Sequence, residues 1–281
     1  MIFETIKLRG IRKIGNIKSS NSYVSDRKRF YEWEITKKFP SKNNVKLTSF
    51  LIKKFSEEKD HVCDPMCGIG TSIVEAIKLK RCAIGLDVSQ KSIEIAHANA
   101  QKTQNLLGND SGFFKIYWMP AQMAKDILPC GFFQLVLFSP PYGRQNHSAG
   151  KKPKQKKIIQ SKHLYSCQKY FNLPDDYSDF DVTKGKGLTG FYERMRTIID
   201  SVSSLLKKNG YLVLILQDYV RKGKIVGLVQ AFVDMVNETY LMIPYGYFER
   251  KLPMTAFKNW GKDKRNFVGV EHILVFKKGM K

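Results

Sequence analysis

Residues 61–87 constrain the fold of this chain more than any other stretch. His61-Val62-Cys63 reads as a short strand and runs straight into Asp64-Pro65-Met66-Cys67-Gly68-Ile69-Gly70-Thr71. A helix follows, with Ile73, Val74, Ala76 and Ile77 on its apolar side, and then a second strand, Cys82-Ala83-Ile84-Gly85-Leu86, closed by Asp87. A strand entering a Gly-x-Gly turn at the start of a helix lets the backbone approach a ligand closely. An acid that ends the next strand can accept hydrogen bonds from ribose hydroxyls. Asp87 stands 23 positions after Asp64, close to the roughly 20-residue spacing of nucleotide-binding units. The third glycine of the dinucleotide fingerprint is absent, with Ser72 and Ile73 near its place. That disfavours a pyrophosphate-bearing cofactor. Asp64 is likewise an odd neighbour for a phosphate and suits a cationic amino-acid moiety.

The rest of the chain repeats the alternation. Helical spacing of Leu47, Phe50, Leu51 and Phe55 predicts a helix over 47–56, and further helices are expected over 89–105, 189–208 and 224–237. Strands are expected over 113–118, 133–138, 211–216, 239–249 and 268–277, with a short helix or loop at 121–128 and a Lys-Lys-Asn-Gly stop at 207–210. Strands alternating with helices imply an α/β fold with a doubly wound, mostly parallel Rossmann-like sheet. At 281 residues and 43% hydrophobic, the chain can bury a sizeable core. Residues 143–187 break the pattern, and a segment that long without periodicity is usually functional or disordered. Residues 1–45 are basic and polar. They read either as an irregular arm packed on the domain or as an arm that contacts nucleic acid.

The apolar run Phe133–Phe138 ends abruptly at Ser139-Pro140-Pro141-Tyr142. Pro140 biases Ser139 toward an extended conformation. A hydroxyl, a carbonyl and an aromatic ring are thus held stiffly at the carboxyl end of a core strand, where open α/β sheets place their ligands.

Charge points to the partner. The formal net charge is +23, from 48 Lys and Arg against 25 Asp and Glu, which suggests a polyanion, most simply nucleic acid. Five cysteines stand at 63, 67, 82, 130 and 167, an odd number with no CxxC pair. They argue against a disulfide framework and a zinc ribbon, and no metal is expected. With no signal-peptide core and no stretch of about 18 apolar residues, a soluble, cytoplasmic and nucleoid-associated protein is expected, with no membrane partner.

Together DPMCGIGT, GLDVS and SPPYG resemble the S-adenosylmethionine (AdoMet)-dependent amino-methyltransferases that act on exocyclic amines of nucleic-acid bases. The similarity covers residues 46–145, with weaker echoes through 277. Its motif order is that of the gamma-like DNA enzymes. The resemblance implies a class I methyltransferase domain over 46–281 behind the 1–45 arm, with 143–187 and 250–267 as DNA-recognition insertions. It implies AdoMet as cofactor, held by Asp64, Pro65, Met66, Cys67, Gly68, Gly70 and Thr71, with Asp87 at the ribose and Val88 at the adenine ring. Thr48 and Ser49 fall where the preceding motif meets the methionine end. Gln122 stands near the place of an acid that faces the adenine amino group in many members. Ser139, Pro140, Pro141 and Tyr142 match the catalytic motif. Arg144 and the cluster Lys151, Lys152, Lys154, Lys156 and Lys157 are expected on nucleic acid, the alternative for the lysines being a solvated loop.

The resulting expectation is a site-specific methyltransferase acting on N4 of a cytosine flipped out of double-stranded DNA, with a cognate restriction endonuclease left open as a partner. N6 of adenine is the nearest rival. A tRNA guanine-N2 enzyme, whose PPYG motif is echoed by Gly143 and Arg144, is another, and a non-catalytic nucleic-acid-binding protein is the alternative of a different class.

Overall fold

A computed structural model of the chain describes residues 7–18, 24–36, 43–140, 187–221, 224–239, 241–252 and 268–279. The elements, in chain order, are β1 (Lys13–Asn16), α1 (Val24–Phe30), α2 (Trp33–Thr36), α3 (Val45–Phe55), β2 (His61–Asp64), α4 (Thr71–Lys78), β3 (Cys82–Asp87), α5 (Gln90–Leu107), β4 (Phe114–Trp118), α6 (Ala124–Ile127), β5 (Phe133–Phe138), α7 (Gly187–Leu205), β6 (Leu206–Leu216), β7 (Tyr219–Arg221), β8 (Lys224–Val226), α8 (Leu228–Asn237), β9 (Met242–Lys251) and β10 (Val270–Lys278).

Eight strands form one sheet in the order β1-β9-β10-β6-β5-β2-β3-β4. Every neighbouring pair is parallel except those of β10, which runs antiparallel to both β6 and β9. This is the mostly parallel Rossmann-like α/β arrangement. From β2 the chain travels to one side through β3 and β4, then returns to place β5 and β6 on the other. The topological switch point therefore lies between β2 and β5, and open α/β sheets bind their ligands there, at the carboxyl ends of the strands.

The strands sort their side chains between two layers. Leu135 and Leu137 of β5 join Val62, Val213 and Ile215 under α3, α4 and α5, whereas Val136 and Phe138 join Leu212 and Leu214 under α7 and α8. A strand buried on both faces needs the continuous apolar run seen at 133–138. Each of these fully buried Leu or Phe side chains contributes roughly 1.5–3 kcal/mol. Helix starts follow local chemistry: the Asn44 side chain accepts from the Leu47 N–H at 3.0 Å, and Ser89 caps α5 by accepting from the Ser92 N–H at 3.3 Å.

Three expectations need correction. Lys207-Lys208-Asn209-Gly210 does not stop a helix before a separate strand. Here α7 ends at Leu205 and β6 begins at once, and the register against β5 jumps from Phe133↔Leu206 to Leu135↔Tyr211, so the four residues bulge. Asn209 takes a left-handed φ of 64°. A Cβ on Gly210 would stand 2.9 Å from the Phe133 carbonyl oxygen, which is why a glycine closes the bulge. Next, the helix expected from 224 starts only at Leu228, because Lys224–Val226 pairs with Tyr219–Arg221. The buried Asp218 carboxylate meets the new helix start, accepting from the Val229 N–H at 2.8 Å. Finally, residues 1–45 are not irregular throughout. Lys13–Asn16 pairs in parallel with β9 as the last strand of the sheet, and α1 and α2 are helical.

Candidate active site

Residues 64–70 leave β2 as a compact turn. The Met66 N–H donates to Asp64 Oδ1 at 3.0 Å, the Cys67 N–H donates to the Leu86 carbonyl at 2.9 Å, and the Gly70 N–H donates to the Cys67 carbonyl at 2.8 Å. The turn is thereby pinned against β3. Gly68 and Gly70 both have left-handed φ, 52° and 78°, but they serve different ends. Around Gly68 a Cβ would meet nothing within 4 Å, so the turn is open there to a ligand. At Gly70 a Cβ would stand 3.0 Å from the Cβ of Ala96, so its absence lets α5 approach. A third glycine, Gly85 on β3, makes room for the turn itself, since a Cβ would lie 2.9 Å from Cys67 Sγ.

Two buried carboxylates lie behind the turn. Asp87 accepts from the Gly68 N–H through Oδ2 at 2.8 Å and from the Ser89 N–H through Oδ1 at 2.9 Å. Asp64 accepts from the Ser72 hydroxyl as well as from Met66. Burial pushes the Asp64 carboxyl up to about 7, and the charge on Asp87 adds to the rise, while the bonds from Ser72 and Met66 oppose it. A site with two close acids, one held near neutrality, gains from a cation and repels a pyrophosphate.

The rim is built from the neighbouring strand ends. Asp87 pairs with Trp118 across β3 and β4. The Trp118 indole N–H donates to the Val88 carbonyl at 2.8 Å and so fixes the residue after Asp87. Gln122 is exposed in the short 3-10 turn Ala121–Met123 that follows β4. Ser139, half-buried, and Pro140, buried, continue β5 past Phe138. The register Cys63↔Val136 brings their end of the strand beside Asp64. Thr48 lies on α3, fully buried, its hydroxyl without a hydrogen-bond partner among the described residues, and Ser49 beside it is half-exposed.

The structure thus gathers Asp64 to Thr71, Asp87, Val88, Ser139 and Pro140 at the carboxyl ends of β2, β3 and β5. Pro141, Tyr142, Arg144 and the lysines at 151, 152, 154, 156 and 157 lie outside the described residues, as do 143–186 and 253–267. Ser72, Gly85 and Trp118 were not anticipated. Gly85 carried a signal, being a glycine inside an otherwise apolar strand. Among the described residues no group of three or more His, Cys, Asp or Glu is arranged to hold a metal ion, and no helix is long and apolar enough to cross a membrane.

Residues 9–98 match the N6_N4_Mtase family, described as DNA methylase. That stretch runs from the arm through the glycine-rich turn and Asp87 into α5. No curated protein matches the chain. Among solved structures, a SAM-dependent methyltransferase from Methanosarcina mazei superposes with a TM-score of 0.50 at 12% identity, over 82% of this chain and 98% of that one. TrmN from Thermus thermophilus gives 0.49 at 13% identity, over 88% of this chain and 52% of its own. Magnesium protoporphyrin IX methyltransferase from Synechocystis, with bound SAM, gives 0.47 at 12% identity, over 92% and 100%. The likeness to the Methanosarcina protein is one of fold. The family match adds, over residues 9–98, a similarity to DNA methylases of the N6/N4 class.

Proposed function

We propose that this protein methylates the exocyclic N4 amine of cytosine in double-stranded DNA, using AdoMet held at 64–71 and 87. The observation that carries the reading is that Ser139-Pro140 and the glycine-rich turn leave the paired strands β5 and β2 on the two sides of the switch point. The cofactor fits the residues present. Gly68 leaves open space at the turn, and the raised Asp64 suits an ammonium group. Asp87 suits the ribose hydroxyls, and Val88, fixed by Trp118, suits an adenine ring. When bound, AdoMet supplies an electrophilic methyl group on its sulfonium.

The chain's own residues must then solve the problem of a poor nucleophile. An aromatic amine delocalises its lone pair into the ring, so it has to be drawn toward tetrahedral geometry as it attacks. Two acceptors aimed at its N–H bonds do this: Ser139 Oγ and the Pro140 carbonyl. Proline offers no competing N–H there, and its rigidity preorganises both acceptors. The N–C bond forms as the S–C bond breaks, and the amine proton then leaves to water. Tyr142 would stack on the base, worth about 1–3 kcal/mol, and reaching the pocket requires the base to leave the duplex. A serine hydroxyl carries no charge, so it suits a cytosine amine that loses its proton after transfer, where a carboxylate would stabilise developing positive charge more strongly.

Nucleoside analysis of DNA and tRNA incubated with the pure protein and AdoMet tests the reading. N4-methylcytosine in DNA is the expected product. N6-methyladenine alone would overturn the base, and methyl groups only in tRNA would overturn the DNA substrate. Ser139→Ala should keep AdoMet affinity and lose roughly 10²–10³ in rate, as for one preorganised polar contact.

A further inference from the structure

The glycine-rich turn is held from behind by one side chain that also holds the N-terminal arm. Asn99 of α5 is fully buried. Its Nδ2 donates to the Ile69 carbonyl at 2.9 Å, inside the turn between Gly68 and Gly70. Its Oδ1 accepts from the Glu32 N–H at 2.8 Å and from the Thr36 hydroxyl at 3.1 Å. The partners themselves determine the amide's orientation, because a carbonyl can only accept and a backbone N–H can only donate. Only an amide offers both functions at this place.

The same arm segment is fastened around it. Thr103 donates from its hydroxyl to the Phe30 carbonyl at 2.8 Å, and Lys102 Nζ donates to the Tyr31 carbonyl at 2.9 Å. The buried Arg27 guanidinium donates to the Asn43 carbonyl at 2.6 Å and lies 3.5 Å from the Thr71 hydroxyl at the start of α4. Glycines at 68 and 70 allow the turn many conformations, so something outside the turn has to select one.

We propose that Asn99 is a positioning residue for the cofactor turn, and that residues 27–36 form part of the cofactor site through it. This rests on the reading of 64–71 as the AdoMet site. Asn99 touches neither cofactor nor substrate. It fixes the Ile69 carbonyl, and with it the peptide planes on either side. Loss of that bond leaves a buried carbonyl unpaired and loosens the Ile69 side of the turn, so the effect falls on cofactor affinity and not on the methyl-transfer step.

The test uses the full chain, with S-adenosylhomocysteine binding by calorimetry and with steady-state methylation. Asn99→Ala is expected to weaken binding about tenfold or more, the scale of one lost buried hydrogen bond. The KM for AdoMet should rise by the same factor, with kcat at saturation unchanged. Thr36→Val, which removes only the arm's hydroxyl, should give a smaller rise of the same kind, and it decides the matter if Asn99→Ala does not fold. Wild-type affinity in a folded Asn99→Ala, wild-type affinity in Thr36→Val where that variant decides, or a fall in kcat without a rise in KM, overturns the proposal. A wild-type protein that does not bind S-adenosylhomocysteine takes down the site reading and the proposal together.

Discussion

With Asp64 proposed to face the ammonium group, cofactor affinity is expected to depend on pH in a calculable way. Its carboxyl is buried beside Asp87 and titrates at about 7 in the unliganded protein. An ammonium group gains from the ionised carboxylate, not from the acid. With a value of about 7, the group is about one-tenth ionised at about pH 6 and about three-quarters ionised at about pH 7.5, an eightfold change worth about 1.2 kcal/mol. The ligand's own α-amino group belongs to a free amino acid, whose adjacent ionised carboxylate keeps it protonated over that window. Calorimetry of S-adenosylhomocysteine across the window should therefore show affinity rising about eightfold with pH, accompanied by proton release at the acid end. Asn in place of Asp64 should bind more weakly and lose the slope. The sign for the unliganded fold is the reverse. Its Asp64 holds the proton more tightly than the unfolded chain does, so this group's contribution to stability declines as pH rises from 3.8 toward 7. A flat wild-type profile, or an unaltered slope in Asp64→Asn, would refute the placement of a cation at Asp64.

Two further outcomes follow from the site. Asp87→Ala should weaken S-adenosylhomocysteine binding by about 1.5–3 kcal/mol, as expected for a lost charged acceptor. Unchanged affinity by calorimetry would remove Asp87 from the site. Replacing Lys151, Lys152, Lys154, Lys156 and Lys157 together by Ala should flatten the salt dependence of DNA binding, by about 0.9 in slope for each lysine on a phosphate. Wild-type affinity and slope would mean that the cluster makes no phosphate contact.

How much of this was legible beforehand depends on the range of the interaction concerned. The strand–turn–helix–strand unit at 61–87 and the strand ending at Ser139 are written in local chemistry: a run of apolar residues, glycines where φ must be positive, a proline after the last strand position. Those signals act over a few residues, so they read correctly to within a residue or two. Asp64, Gly68, Gly70 and Asp87 could therefore be set at one crevice from their order alone. What tertiary structure decided was which surfaces meet. Gly85 is required because Cys67 lies against it, a contact between one strand and the turn that leaves its neighbour. The reversal of β10 and the addition of β1 beyond β9 join segments far apart in the chain, and no local period encodes that pairing. Asn99 was partly visible, as a polar residue within the buried stripe Ser92, Ile95, Ala96, Asn99, Ala100 and Thr103 of α5. Its three partners come from two other segments, so its role became readable only once packing had brought the turn and the arm to the same side of one helix.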